Sequence, residues 1–142
     1  MGMQFESKFY EANTLIKSIK EYFNQALLLY NSKHSEKIKL KFDKLESGYG
    51  THLFNPIAAN IIGSDIAIFD TSDHNPNVMI ELGVSLTWGI RVLPIQERTS
   101  PDIPSDISGQ TWIKYENSGK TVLDEHFSKK LEVMITRAIA SK

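Results

Sequence analysis

Cysteine is absent from the chain, which excludes disulfides and every chemistry that needs a thiolate. Its absence fits a reducing compartment. A surplus of one charge is also missing. Lys and Arg number 16 against 17 Asp and Glu, for a net charge of −1. That balance gives no electrostatic case for a nucleic-acid partner. No apolar run approaches the roughly 20 residues of a membrane span, and no signal peptide is visible, so no membrane partner is expected. Met1-Gly2 is followed by Glu6, which does not fit the myristoylation pattern. A cytoplasmic location is the expectation. No His, Asp and Glu cluster has metal-ligand spacing, so neither metal nor cofactor is expected. Gly48-Tyr49-Gly50 is too short for a phosphate loop.

What is present is ordinary for a globular domain: 142 residues, 41% hydrophobic and 23% charged. With no repeat and no low-complexity linker, a single domain over residues 1–142 is expected. Residues 1–5 predict a short first strand. Residues 7–31 predict a helix, because Phe9, Ala12, Leu15, Ile16, Ile19, Phe23, Ala26 and Tyr30 recur at steps of three and four. Residues 37–42 alternate Lys with Ile, Leu and Phe, which predicts a strand with one wet, edge-like face. Glu46–His52 is a glycine-bearing loop. Asn55 as cap and Pro56 as first residue predict a short helix through Ile62. Residues 65–70 predict a strand buried on both faces. Asn75 and Pro76 open the next helix, through Trp88. Strands follow at 91–95 and 111–115, and a last helix over 121–140.

The order β-α-β-α-β-α-β-β-α implies an α/β fold with three layers: a flavodoxin/Rossmann-like, mostly parallel five-stranded sheet with helices on both faces. Ligands of such sheets bind beyond the carboxyl ends of the strands. Phe5–Lys8, Glu46–Asn55 and Asp70–Asn77 are expected there.

Glu81 is the residue most out of place. Of the twelve residues from Asn77 to Trp88, six are large apolar residues and a seventh is Trp, on nearly every side of the helix. Such a helix is normally buried, so its lone acid needs a partner, a shifted pKa or a chemical task. Just upstream, Asp70-Thr-Ser-Asp-His-Asn-Pro-Asn77 is a polar loop after a hydrophobic strand. Asp70 suits a cap of that turn as well as a site; Asp73 and His74 suit loop exposure as well as ligand contact. Asn75 and Asn77 suit a helix cap and a turn as well as a site. Tyr49 and His52 are candidates for stacking on a base. His34 and His126 look like surface residues, and Trp88 like core or interface packing.

The run Ser64-Asp-Ile-Ala-Ile-Phe-Asp-Thr-Ser-Asp-His-Asn-Pro-Asn-Val-Met-Ile-Glu-Leu-Gly83 resembles the core of nucleoside 2-deoxyribosyltransferase-like proteins, in their prokaryotic, TIR-like branch. Arg91-Val-Leu-Pro-Ile95 is similar to that family's next strand, and Met3-Gln4-Phe5 to the end of its first. The resemblance implies that Glu81 is the catalytic carboxylate, acting on the anomeric carbon of a ribosyl or deoxyribosyl group. It implies that Asn75 contacts the sugar or its phosphate. Asp70 is the second catalytic candidate; Phe5, Tyr49, His52, Asp73, His74, Asn75 and Asn77 are the substrate-binding candidates. The implied partners are a nucleoside, a nucleotide or NAD, and a second copy in a homodimer. The family's usual second acid is replaced here by Asn55-Pro56-Ile57. General-acid help would therefore fall to Asp70, Asp73 or His74, or be missing. The alternatives are a non-catalytic nucleotide-binding sensor and a TIR-like interaction module.

Overall fold

A computed structural model describes residues 1–4, 6–39, 41–45, 54–101, 112–117, 121–123 and 127–140. Its elements run α1 (Ala12–Lys33), α2 (Phe54–Ile62), β1 (Ile66–Asp70), α3 (Pro76–Thr87), β2 (Arg91–Glu97), β3 (Ile113–Asn117), β4 (Thr121–Leu123) and α4 (Phe127–Ala140). The strands form one four-stranded sheet in the order β1-β2-β3-β4. β1, β2 and β3 are mutually parallel, and β4 returns antiparallel to β3. The α/β class therefore holds, with four assigned strands among the described residues rather than five.

The sheet is covered on both sides because β1 is apolar on both sides. Ile68 joins Leu93, Ile95, Ile113 and Tyr115 in a core closed by α1 and α4. Its neighbours Ala67 and Phe69 join Ile61, Val78 and Leu82 in a second core under α2 and α3. Alternation along a strand divides the two sets. In α1, Leu15, Ile19, Phe23, Ala26 and Tyr30 are buried at helical spacing. Tyr22 of α1 meets Phe127 of α4 edge to face, with ring centroids 5.4 Å apart.

Four elements differ from the sequence expectation. First, α1 starts at Ala12 rather than residue 7, because the Glu11 carboxylate accepts the N–H groups of Asn13 and Thr14 at 2.9 and 2.7 Å. Second, residues 1–4 form no strand of their own. Gly2 makes a single parallel bridge to Phe69, its N–H reaching Ile68 O at 2.8 Å while its carbonyl accepts from Asp70 N at 3.0 Å. Third, the described residues within 37–42 carry no strand ladder. The Asn31 side chain takes both backbone groups of Ile38, at 3.0 and 3.1 Å, in place of a neighbouring strand. Ile38 and Phe42 still pack against the α1/α4 core. Fourth, Thr121–Leu123 pairs with β3 instead of opening the last helix, which begins at Phe127. Smaller shifts occur elsewhere. α2 begins at Phe54 rather than Pro56, and β2 and β3 each extend two residues beyond their expected ends.

Pro94 is accommodated without loss. Ile95 O accepts from Thr71 N at 3.0 Å, which turns odd-numbered β2 residues towards β1. The Pro94 nitrogen then faces β3, whose pairing begins only at Ile95↔Ile113.

The helix that carries Glu81 is not buried all round, as its composition suggested. Ile80 and Trp88 are 53% and 62% exposed, whereas Leu82 is 1% exposed. Leu82→Ala is expected to cost about 2–5 kcal/mol in urea unfolding, by lost burial and a residual cavity. Ile80→Ala should stay within about 0.5 kcal/mol of the wild type. Equal effects would show that α3 does not face the sheet in this register.

Candidate functional site

The carboxyl end of β1 runs into a tight turn. Thr71 anchors it by donating from both N and Oγ1 to Ile95 O, each at 3.0 Å. His74 N donates to Thr71 O at 3.0 Å, and His74 has φ 51°. That left-handed conformation costs a non-glycine residue on the order of 1 kcal/mol. Ser72 ties the turn to β2: its Oγ accepts from Glu97 N at 2.8 Å and its carbonyl from Ser100 Oγ at 2.6 Å. Asn75 then caps α3, accepting from Asn77 N at 2.9 Å, and Pro76 fills the first helical turn.

Asp70 is 3% exposed and fully engaged. Tyr115 Oη donates to Oδ2 at 2.7 Å, and Ser72 N donates to Oδ1 at 3.1 Å. Burial pushes its pKa up to about 6, while the hydrogen bonds from Tyr115 and Ser72 hold it back. Burial, with Asp70 nearby, also pushes the Tyr10 and Tyr115 hydroxyls up. Tyr10 donates to Gln4 O at 3.0 Å.

Glu81 lies on the other side of the sheet. Asp70 follows Phe69 and therefore faces the α1/α4 layer, where Tyr115 meets it. Glu81 projects from α3 against Gly2 and the Phe69 ring. The two carboxylates that the sequence suggested as catalytic do not share a site. Glu81 is half-buried, and no described residue donates a hydrogen bond to its carboxylate. Burial raises its pKa, and the amino group of Met1 pulls the other way.

The remaining candidates divide. Asn75 is used at both ends, because its Nδ2 also donates to Gln4 Oε1 at 2.9 Å. Asn77 is exposed in the first turn of α3. Asp73 Oδ2, His74 Nε2 and Gln96 Oε1 are buried with no hydrogen-bond partner among the described residues. Asp73 lies near enough to Asp70 and Tyr10 to raise the pKa of both. Phe5, Tyr49 and His52 lie outside the described residues. Sequence reasoning missed Gly2, Gln4, Tyr10, Ser72 and Tyr115. The signal for Gly2 and Gln4 was their shared parity, which puts both on one face of the first segment.

A groove of about 510 Å³ opens at the amino end of β1, lined by Phe42, Ile61, Ile66 and Ile135 among others. None of the candidate residues lines it. Glu81 offers the better placed chemistry, because a half-buried carboxylate beside bare backbone, with no hydrogen-bond donor among the described residues, has acceptor capacity to spend. Among the described residues, no group of three or more His, Asp or Glu is arranged to hold a metal ion. Among the same residues, no helix is long and apolar enough to cross a membrane. Comparisons with protein-family models, with characterised proteins and with solved structures give no significant match.

The Asp70 shift has a pH consequence. Its folded pKa, about 6, lies above the ordinary 3.8, so the folded state holds the proton more tightly. The Asp70 contribution to stability is therefore greatest below about pH 4. It declines as pH rises to about 6 and is constant beyond. Asp70→Asn should gain stability relative to the wild type across that window in urea unfolding. A difference independent of pH between 4 and 7 would contradict the shift.

Proposed function

We propose that this protein cleaves or transfers an N-glycosidic bond of a nucleoside, nucleotide or NAD. The Glu81 carboxylate acts as nucleophile or as stabiliser of the ribosyl cation. The observation that carries this reading is Glu81 itself: half-buried, without a hydrogen-bond donor among the described residues, and against the bare backbone of Gly2. The likeness of residues 64–83 to the deoxyribosyltransferase-like core supports it. A flavodoxin-like, mostly parallel sheet wider than the four assigned strands belongs to the same reading, with residues 1–4 beside β1 and residues 41–45 beyond them. The Gly2 bridge to Phe69 and the 2.9 Å bond from Leu45 N to Met1 O support that placement.

The chemistry follows from the carboxylate. As the bond from C1′ to the base nitrogen breaks, its electron pair leaves with the base and positive charge develops on the sugar. Glu81 stabilises that charge or bonds to C1′, and water or a second base then takes its place. The leaving nitrogen takes a proton. Asp70 cannot supply it from the opposite face, and Asp73 lies near Asp70 and Tyr10, so His74 or water is the source. Glu81 must be ionised to act, so kcat/KM should rise with pH through a midpoint above the ordinary Glu range. A homodimer is part of this proposal, with exposed Ile80 and Trp88 on α3 available for contact.

The second reading is a nucleotide-binding sensor without turnover. Two observations favour it: Asn55-Pro56-Ile57 at the place of the usual acid, and Asp70 committed to Tyr115. One experiment separates the two. Wild type and Glu81→Gln are incubated with nucleosides, nucleoside monophosphates and NAD, and free base is measured beside ligand-induced thermal shifts. The enzyme reading expects base release by wild type and a loss of about 10²–10³-fold in Glu81→Gln. Thermal shifts in both proteins with no release by either would establish the sensor. Equal release by both proteins would remove Glu81 from the reaction.

A further inference from the structure

We propose that Gly2 is a positioning residue for Glu81: its bare backbone leaves the space in which the carboxylate lies. The proposal rests on the role given to Glu81 above and extends it to the first segment of the chain. A Cβ built on Gly2 would meet Glu81 Oε2 at 2.7 Å and the Phe69 ring at 2.6 and 2.7 Å. Ordinary carbon contacts begin near 3.5 Å, so something must move.

The surroundings decide what moves. The Gly2 backbone is pinned on both sides of its Cα, to Ile68 O at 2.8 Å and from Asp70 N at 3.0 Å. Phe69 is fully buried at 0% exposure. The Glu81 carboxylate is half-buried at the end of a side chain with three rotatable bonds, and no donor among the described residues holds it. It is the group that yields. Conformational freedom does not explain the glycine. Among the described glycines only Gly89 has positive φ, so the Gly2 backbone suits alanine and only the space is special.

Gln4 completes the arrangement. It lies on the same face as Gly2 by alternation, and its Oε1 accepts from Asn75 Nδ2 at 2.9 Å. That bond ties the first segment to the cap of the helix that carries Glu81. The spacing between Gly2 and Glu81 is therefore set from both elements. Met3, between Gly2 and Gln4 in sequence, is buried in the opposite core.

The test compares Gly2→Ala with wild type. Side-chain carboxyl NMR titration, with the Glu81 signal assigned through Glu81→Gln, reads the carboxylate's environment without any need for activity. In Gly2→Ala the Glu81 midpoint should fall towards the ordinary Glu value, because the displaced carboxylate is better hydrated. With a cleaved substrate, kcat should fall about 10²-fold while KM changes little, the mark of a misplaced reacting group. A folded Gly2→Ala whose Glu81 titrates as in wild type overturns the proposal. Absence of base release by wild type sinks the glycosidase reading instead and leaves the titration to judge Gly2. Should Gly2→Ala not fold, Gly2→Ala with Phe69→Leu removes the ring contact. Glu81 is then compared with that in Phe69→Leu alone, and equal midpoints again overturn the proposal.

Discussion

A strand buried on both faces sends neighbouring side chains into different layers, and the rest of this structure depends on that in β1. Phe69 goes to the α2/α3 side and gives Gly2 and Glu81 a wall. Asp70 goes to the α1/α4 side and finds Tyr115. One residue separates a group with spare capacity from a group with none. A one-residue slip in β1 would exchange these faces and place a carboxylate among apolar residues of α3.

The two acids illustrate what burial does with and without partners. Asp70 is almost wholly buried, and two donors compensate part of its desolvation. The remainder appears as a pKa of about 6. Its bonds to Ser72 and Tyr115 hold the start of the 71–75 turn against β2 and β3, which is a structural task. Glu81 is less buried but has no donor among the described residues, so its raised pKa comes from desolvation alone, moderated by a nearby ammonium. A charge kept in that condition costs stability without a compensating bond. That imbalance is the physical ground for assigning Glu81, rather than Asp70, to chemistry.

Much of this arrangement was legible in the sequence where a local rule decides the outcome. Asn75-Pro76 marked the start of α3, and the spacing of Leu15, Ile19, Phe23 and Ala26 marked the buried face of α1. The apolar run to Asp70 marked β1 as buried on both sides. What was not legible depends on partners distant in sequence. Alternation in residues 37–42 cannot reveal that the Asn31 amide takes the Ile38 backbone groups. Thr121-Val-Leu123 fits a strand or a helix start until β3 is placed beside it. In the candidate site, Glu81 and the 70–77 turn stood out by composition. The separation of Asp70 from Glu81, and the role of Gly2, needed the register of the sheet.

The central claim is that the Glu81 carboxylate faces the anomeric carbon of a ribosyl group. The most direct measurement is a crystal structure of Glu81→Gln soaked with a nucleoside monophosphate. The account predicts C1′ within about 3–3.5 Å of the residue 81 side chain, the separation of groups placed to react. A ligand bound instead in the groove at the amino end of β1, with nothing near residue 81, would contradict it.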